Sequence, residues 1–443
     1  MPAISNYNLQ RYQTREVVTP GSYEFVSASI GSGLRTEDFL NKILAMNVYE
    51  SLHTPYLTFE VFCLDTENLV SELPIQGGEI VTITVRDCHR ETRTHTFRVT
   101  KVSDRRPESV SSLTYTIHGV TSNVVFSHTR KISESHIKMR PERIMESVLT
   151  EHMRFPSSDF LYDPGAEDIC CVLPNWRPLE ALMWLNSRNQ SRRFPRSPYK
   201  TFMTVDEEIY HTSLDLLYND GTNVSRGPLY TYFNRQGQDG TSLISDDRMT
   251  RHLYSFTNFD NVKTAELLEN LTQGMFSTRV QEVDVFERKD ENHYHTYATE
   301  FNQTEHLGRR PYRIDGVTLA GLENTADQGV TSPHWRTILR HPGLFSQEDI
   351  ASKPENYIAD HTSKLQQMEN YKIKGVLPGS FELKVGQKYS IDIPQYSNVE
   401  SGNTIQSVDR LMSGDFVVEN IKHSYSPTLY TARCLFFKDA LEL

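Results

Sequence analysis

Two segments at opposite ends of this 443-residue chain carry the same strand pattern. Gly78-Glu79-Ile80-Val81-Thr82-Ile83-Thr84-Val85 matches Gly386-Gln387-Lys388-Tyr389-Ser390-Ile391-Asp392-Ile393. Each reads glycine, two residues, a large apolar residue, a hydroxyl, isoleucine, a polar residue and a β-branched residue. Further on, Phe97-Arg98-Val99-Thr100-Lys101-Val102 matches Phe416-Val417-Val418-Glu419-Asn420-Ile421. A third strand follows in each case, Leu113 to Ile117 and Leu429 to Leu435. Glycine permits the turn that opens the first strand. Alternation of period two places Val81, Ile83 and Val85, or Tyr389, Ile391 and Ile393, on one buried face. The period breaks inside Phe-x-Val-x-x-(Val or Ile), between Val99 and Val102 and between Val418 and Ile421, where a bulge would bend the strand. Three strands in the same order point to a duplicated small β unit.

The stretch between the copies changes period. Pro141 stands where a first-turn proline is tolerated, and Ile144, Met145, Val148 and Leu149 follow at helical spacing. A second helix is expected from Pro178, with Leu179, Leu182, Met183 and Leu185 inward, and Cys170, Cys171 and Trp176 in the connection before it. Arg188 to Pro198 reads as a solvated basic loop, and Asp206-Glu207-Glu208 as a solvated turn. A third helix is expected over Val262 to Leu271, ended by Gly274, then strands through Val283 and Val285. The fold class expected is α+β and β-rich, with two similar small antiparallel β-barrels per chain joined by α-rich inserted modules. The expected divisions are an N-terminal arm at 1–38, a first barrel at 39–125 and an α-rich middle module at 126–198. A strand and loop region follows at 199–260, then an inserted α+β module at 261–362 and a second barrel at 363–443.

Composition removes several function classes. Asp and Glu outnumber Lys and Arg by 57 to 46, for a net charge of −11, which opposes sequence-independent nucleic-acid binding. No run approaches the roughly 18–20 apolar residues of a membrane span, so no membrane insertion is expected. Met1 to Arg15 lacks the apolar stretch of a secretory signal. The 22 Tyr and 21 Phe indicate packed cores. Five cysteines, at 63, 88, 170, 171 and 434, have no zinc spacing and read as reduced thiols.

The search for chemistry finds little. There is no G-x-S-x-G, Ser-x-x-Lys or phosphate loop, and Gly31-Ser32-Gly33 reads as a turn. His89 with His95, and His293 with His295, are the closest histidine pairs, and His293 and His295 would need a third ligand from another loop to hold a metal. No catalytic, cofactor-binding or metal residue is assigned, and the expectation is a non-enzyme without cofactor.

Several segments in order resemble the central baseplate hub protein of T-even-type contractile-tailed bacteriophages, an architecture that also opens type VI secretion spike proteins. Tyr49-Glu50-Ser51-Leu52, Leu57 to Asp65 and Leu73 to Ile80 are similar to that family's first barrel. Thr116 to Val120 with Pro141 to Ile144 resembles its barrel-to-helix junction, and Asn175 to Pro178 with the Leu179 to Leu185 helix resembles a segment that precedes a long strand. Leu383 to Gly386, Ser413 to Val418 and Ile421 to His423 resemble its closing barrel. The resemblance implies a homotrimer whose duplicated barrels make a pseudo-six-fold ring. Such a ring would meet a trimeric spike protein on one face and the hexameric tail tube protein on the other. Tape measure protein and DNA would pass through it, and baseplate wedge proteins would be further neighbours. A stand-alone carbohydrate- or receptor-binding tail protein is the alternative, followed by a cell-wall hydrolase.

Overall fold

A computed structural model describes residues 19–32, 35–67, 69, 73, 75–219, 230–232, 255–264, 266–284, 288–312, 334–340, 357–393, 409 and 411–442. Residues 1–18 of the expected arm, Gly33, Val285 and most of 220–355 lie outside the described residues.

The first unit contains β1 (Glu24–Ser32), β2 (Arg35–Asp38), β3 (Ile43–Ser51), β4 (Thr58–Asp65), β5 (Ile80–Arg86), β6 (Thr92–Ser109) and β7 (Ser112–Thr121). Its central strands run antiparallel in the order β3-β4-β7-β6-β5. Val81, Ile83 and Val85 are fully buried, as period two requires. Phe59 and Phe97 stack across the core at 4.6 Å.

The middle region is not simply α-rich. Its helices are Pro141–Ser147, extended by a π-helical turn at Val148–His152, and Pro178–Arg188. They pack beside β8 (Ile132–Met139), β9 (Phe160–Tyr162), β10 (Ile169–Trp176), β11 (Tyr199–Met203) and β12 (Ile209–Ser213). β8 pairs with β10, and β9, β11 and β12 form a second small sheet. The segment read as a connection is therefore the strand β10. Ile169, Cys171 and Leu173 alternate inward on it, a signal that the neighbouring helical pattern masks. Met183, expected inward, is 54% exposed; Ala181 takes the inward position with Leu182 and Leu185.

The second unit adds β13 (Tyr230–Tyr232), β14 (Ser255–Phe256) and β15 (Asn258–Thr264). After a helix, Leu267–Thr272, come β16 (Ser277–Asp284), β17 (Lys289–Thr296) and β18 (Trp335–Arg340), which form their own sheet. The helix Ile358–Gln367 leads to β19 (Tyr371–Pro378), β20 (Lys388–Asp392), β21 (Gly414–Tyr425) and β22 (Tyr430–Lys438). The expected helix from Val262 starts later because 258–264 is a strand. Its side chains are mostly exposed, so it carries no buried alternation to read.

Among the described residues, neither unit closes into a barrel. β5 passes its outer edge to β1, β20 passes its own to β13, and β21 runs on into β3, so the strands of both units join one 14-stranded sheet. This corrects the expected pair of separate barrels. It also corrects the arm: Ala28 and Ile30 of β1 are buried against β5, so part of 1–38 is core.

Candidate assembly site

The duplication is visible strand by strand. The second unit has the order β15-β19-β22-β21-β20, every neighbour antiparallel, which matches β3-β4-β7-β6-β5 in both chain order and pairing. The two opening glycines adopt positive φ, +98° at Gly78 and +80° at Gly386. Gly78 N–H donates to the Val99 carbonyl at 2.7 Å and Gly386 N–H to that of Val418 at 3.0 Å. In return, Val99 N–H donates to Glu79 O and Val418 N–H to Gln387 O. Both long strands then bulge one residue later, at Thr100 and at Glu419. The bulge explains the broken period: Val102 and Ile421 return inward after it, Ile421 fully and Val102 partly. Val81, Ile83, Val85, Phe97, Val99, Tyr389, Ile391, Ile393, Phe416 and Val418 are all core. They fall in two clusters, one per unit.

What sequence reasoning missed is the joint between the units. After its bulge, β21 pairs with β3, from Asn420 opposite Ser51 to Tyr425 opposite Met46. Glu50 lies on the same buried face of β3 as Met46 and Val48. Its Oε1 is 2.5 Å from His423 Nε2 on β21, and its Oε2 accepts the Val205 N–H at 2.8 Å. His423 Nδ1 hydrogen-bonds the Tyr430 hydroxyl at 2.7 Å. Glu419, the bulge residue, is buried and meets Lys372 at 2.8 Å and His53 at 2.9 Å. At the rim, Ser424 Oγ donates to Asn47 Oδ1 at 2.8 Å. The signal that was available is parity: a carboxylate at an inward strand position needs a buried partner.

The β11–β12 turn caps this joint. Asp206, read as a solvated turn, sits between Arg93 of the first unit, at 2.5 Å, and Lys384 of the second. Burial opposes its charge, but the two cations outweigh burial and hold its carboxyl below the usual range. The arrangement ties two β units together; it presents no nucleophile with an activating base.

Further polar clusters lie outside the joint. His95 is buried against Phe59, and burial pushes its pKa down to about 3, so it stays neutral. His89 groups with Asp87 and Cys88 instead, and His293 with Glu282 and Glu291. His295 is buried, 2.7 Å from Asp360 and 2.8 Å from Glu300. Arg196, from the loop read as solvated, lies 2.9 Å from Glu300 and 3.6 Å from Asp360. These donor atoms are close enough for a metal, but Arg196 already supplies the positive charge. Burial lowers the His295 pKa; Asp360 and Glu300 outweigh it and raise the value to about 9. The sign of the linkage follows: stability from His295 is full below its unfolded value near 6.5 and is lost as pH rises through 9. The expected result is that His295→Gln costs up to about 3 kcal/mol near pH 6 and much less near pH 10. Urea melts of both proteins across that range check it; a pH-independent difference would disprove the protonated cluster.

Cys170 and Cys171 do not face one another, since successive strand residues point to opposite sides. Cys171 is buried, and burial raises its pKa to about 11. Cys63 and Cys88 are raised to about 12 for the same reason.

A cleft of about 440 Å³ opens between the middle region and the helix Ile358–Gln367, lined in part by His53, Arg188, Tyr199, Lys200 and Arg336. Tyr199 is buried and stacks on His211, so its ring offers no face to a sugar.

The strand order can be set against known structures. No family model matches the chain, and no curated protein matches it. Among solved structures, the 43 kDa tail protein of a prophage from Shewanella oneidensis matches with a TM-score of 0.52 and 8% identity. That match covers 95% of this chain and 100% of the other. The tail protein from Neisseria meningitidis matches with a TM-score of 0.51 and 10% identity, over 94% and 97% of the two chains. The chain shares the fold of these two tail proteins. At such low identity what is shared is the backbone course, and the likeness runs over 94–95% of this chain rather than one unit of it.

Proposed function

We propose that this chain is a structural subunit of a phage tail baseplate, the central hub. Three copies form a ring with pseudo-six-fold symmetry. The ring adapts the hexameric tail tube to the trimeric central spike and leaves a channel for DNA. Tube, spike and tape measure proteins are the partners, and baseplate wedge proteins are outer neighbours. The location is the tail baseplate of the virion, after assembly in the host cytoplasm.

The observation that carries this reading is the repeated five-strand unit with a built joint between its copies. Two similar units per chain convert three-fold symmetry into six similar positions. The fold shared with tail proteins supports the same reading, as does a network of buried ion pairs at the joint rather than a catalytic constellation. Light scattering of the purified chain, alone and mixed with a candidate spike protein, tests it. The expected mass is three times 51.1 kDa in at least one of the two samples. A monomer in both would end the ring reading.

A further inference from the structure

The cleft between the middle region and the helix Ile358–Gln367 carries one sign of charge on its wall. Among the described residues that line it, Arg188, Lys200 of β11 and Arg336 of β18 are cations, and none is Asp or Glu. The chain as a whole has a net charge of −11, so this local excess does not follow from composition. Among the described residues none of the three cations forms an ion pair. Lys200 Nζ donates to His53 Nδ1 at 3.2 Å, and His53 Nε2 passes the contact on to Glu419 at 2.9 Å. Arg188 lies 5.6 Å from the Trp184 ring. An ammonium carries three protons, so Lys200 keeps two to donate. Burial lowers its pKa to about 8, with Lys372 adding to the shift; Glu419 and Glu369 oppose it without cancelling it. Lys200 is therefore charged at pH 7, and an anion beside it would relieve the cost of its burial.

The neutral groups on the same wall are set to donate. Thr201 Oγ1 donates to Asn186 Oδ1 at 2.6 Å, which leaves the Asn186 NH2 for the cleft. Thr201 is itself held by the buried His211 at 2.9 Å. His361 is 5% exposed, and its Nε2 has no hydrogen-bond partner among the described residues. Burial pushes its pKa down to about 3, so it is a neutral imidazole with one N–H to give.

We propose that this cleft binds a small phosphate ester. Lys200, Arg188 and Arg336 hold the phosphate with Asn186 and His361 as neutral donors, and Leu52, Met183 and Leu365 receive the carbon part. A single carboxylate would leave most of the positive charge unmatched, whereas a phosphate monoester carries close to two negative charges near pH 7 and accepts on three oxygens. At about 440 Å³ the cleft has the size of a small-molecule site and exceeds a bare phosphate. The same site accounts for Met183, which turns away from its own helix's core and is 54% exposed. The proposal stands apart from the ring reading and needs no second copy of the chain.

Calorimetric titration of the full chain at pH 7 and physiological salt, with phenyl phosphate, inorganic phosphate and benzoate, tests it. Phenyl phosphate is expected to bind with a Kd below about 1 mM, inorganic phosphate more weakly, and benzoate at least about tenfold more weakly than phenyl phosphate. Lys200→Met keeps the stem and removes the charge. It is expected to weaken phenyl phosphate about tenfold or more without lowering the melting temperature, since a buried cation with no ion-pair partner does not stabilise the fold. Arg188→Gln, in the last turn of its helix, is expected to weaken binding to a similar degree, and it decides the matter if Lys200→Met fails to fold. Arg86→Gln, at an exposed ion pair outside the cleft, is expected to bind as wild type does. No binding of either phosphate, or undiminished binding by the folded Lys200 and Arg188 variants, overturns the site. Benzoate binding as tightly as phenyl phosphate overturns the phosphate class, and equal affinity for the two phosphates overturns the apolar part.

Discussion

Replacing Ile391 by Asp is expected to abolish cooperative unfolding of the second unit. Ile391 is fully buried in a core with Tyr389, Phe416 and Phe436. Truncating such a side chain alone costs about 2–5 kcal/mol. An unpaired carboxylate in the same place adds a desolvation cost of several kcal/mol, or is protonated at similar cost. The sum rivals the roughly 5–15 kcal/mol stability of a whole domain. Ile83→Asp is the matched variant in the first unit, since Ile83 occupies the equivalent repeat position and is equally buried. Thermal melts followed by near-ultraviolet circular dichroism check both. A variant melting within a few degrees of wild type would show that its strand register is wrong.

Glu50→Gln is expected to be damaging to a lesser degree, for a different reason. The carboxylate accepts from His423 and from the Val205 N–H, and lies 3.4 Å from the Val385 N–H. An amide of the same shape must turn its NH2 toward one of these donors. Leaving a buried donor without an acceptor costs about 1–3 kcal/mol, and breaking a buried charged contact about 3–5 kcal/mol. A loss of about 3 kcal/mol is expected in urea unfolding. The double variant Glu50→Leu with His423→Leu should recover part of the loss, because both side-chain partners leave together. Recovery stays incomplete, because Val205 N–H still lacks its acceptor. A Glu50→Gln protein within 0.5 kcal/mol of wild type, against the roughly 3 kcal/mol expected, would mean that the polar joint does not hold the units together.

The two variants probe different levels of legibility. Ile391 belongs to an alternating run, and alternation is local, so its burial can be read from eight residues. Glu50 sits within a similar run, but what it binds lies on β21, β11–β12 and the loop before β20. No local pattern names those partners. The same holds for His295, which Asp360 and Arg196 reach from far along the chain. Met183 shows a smaller failure, where helical spacing alone admitted two neighbouring inward faces and packing chose Ala181. The segment Val262 to Leu271 failed because an exposed edge strand lacks the buried face that makes a strand readable.

The amino-acid sequence by itself determined the repeat, its glycine turns, its inward positions and the bulge after Phe97 and Phe416, because each depends only on period and on backbone freedom within one strand. Whether those strands close into barrels was settled elsewhere. β1 and β13 occupy the edges that closure would need, and β21 joins β3 across the chain. Edge pairing is a competition among segments distant in sequence, and the winner is set by which edge a neighbouring strand reaches in three dimensions.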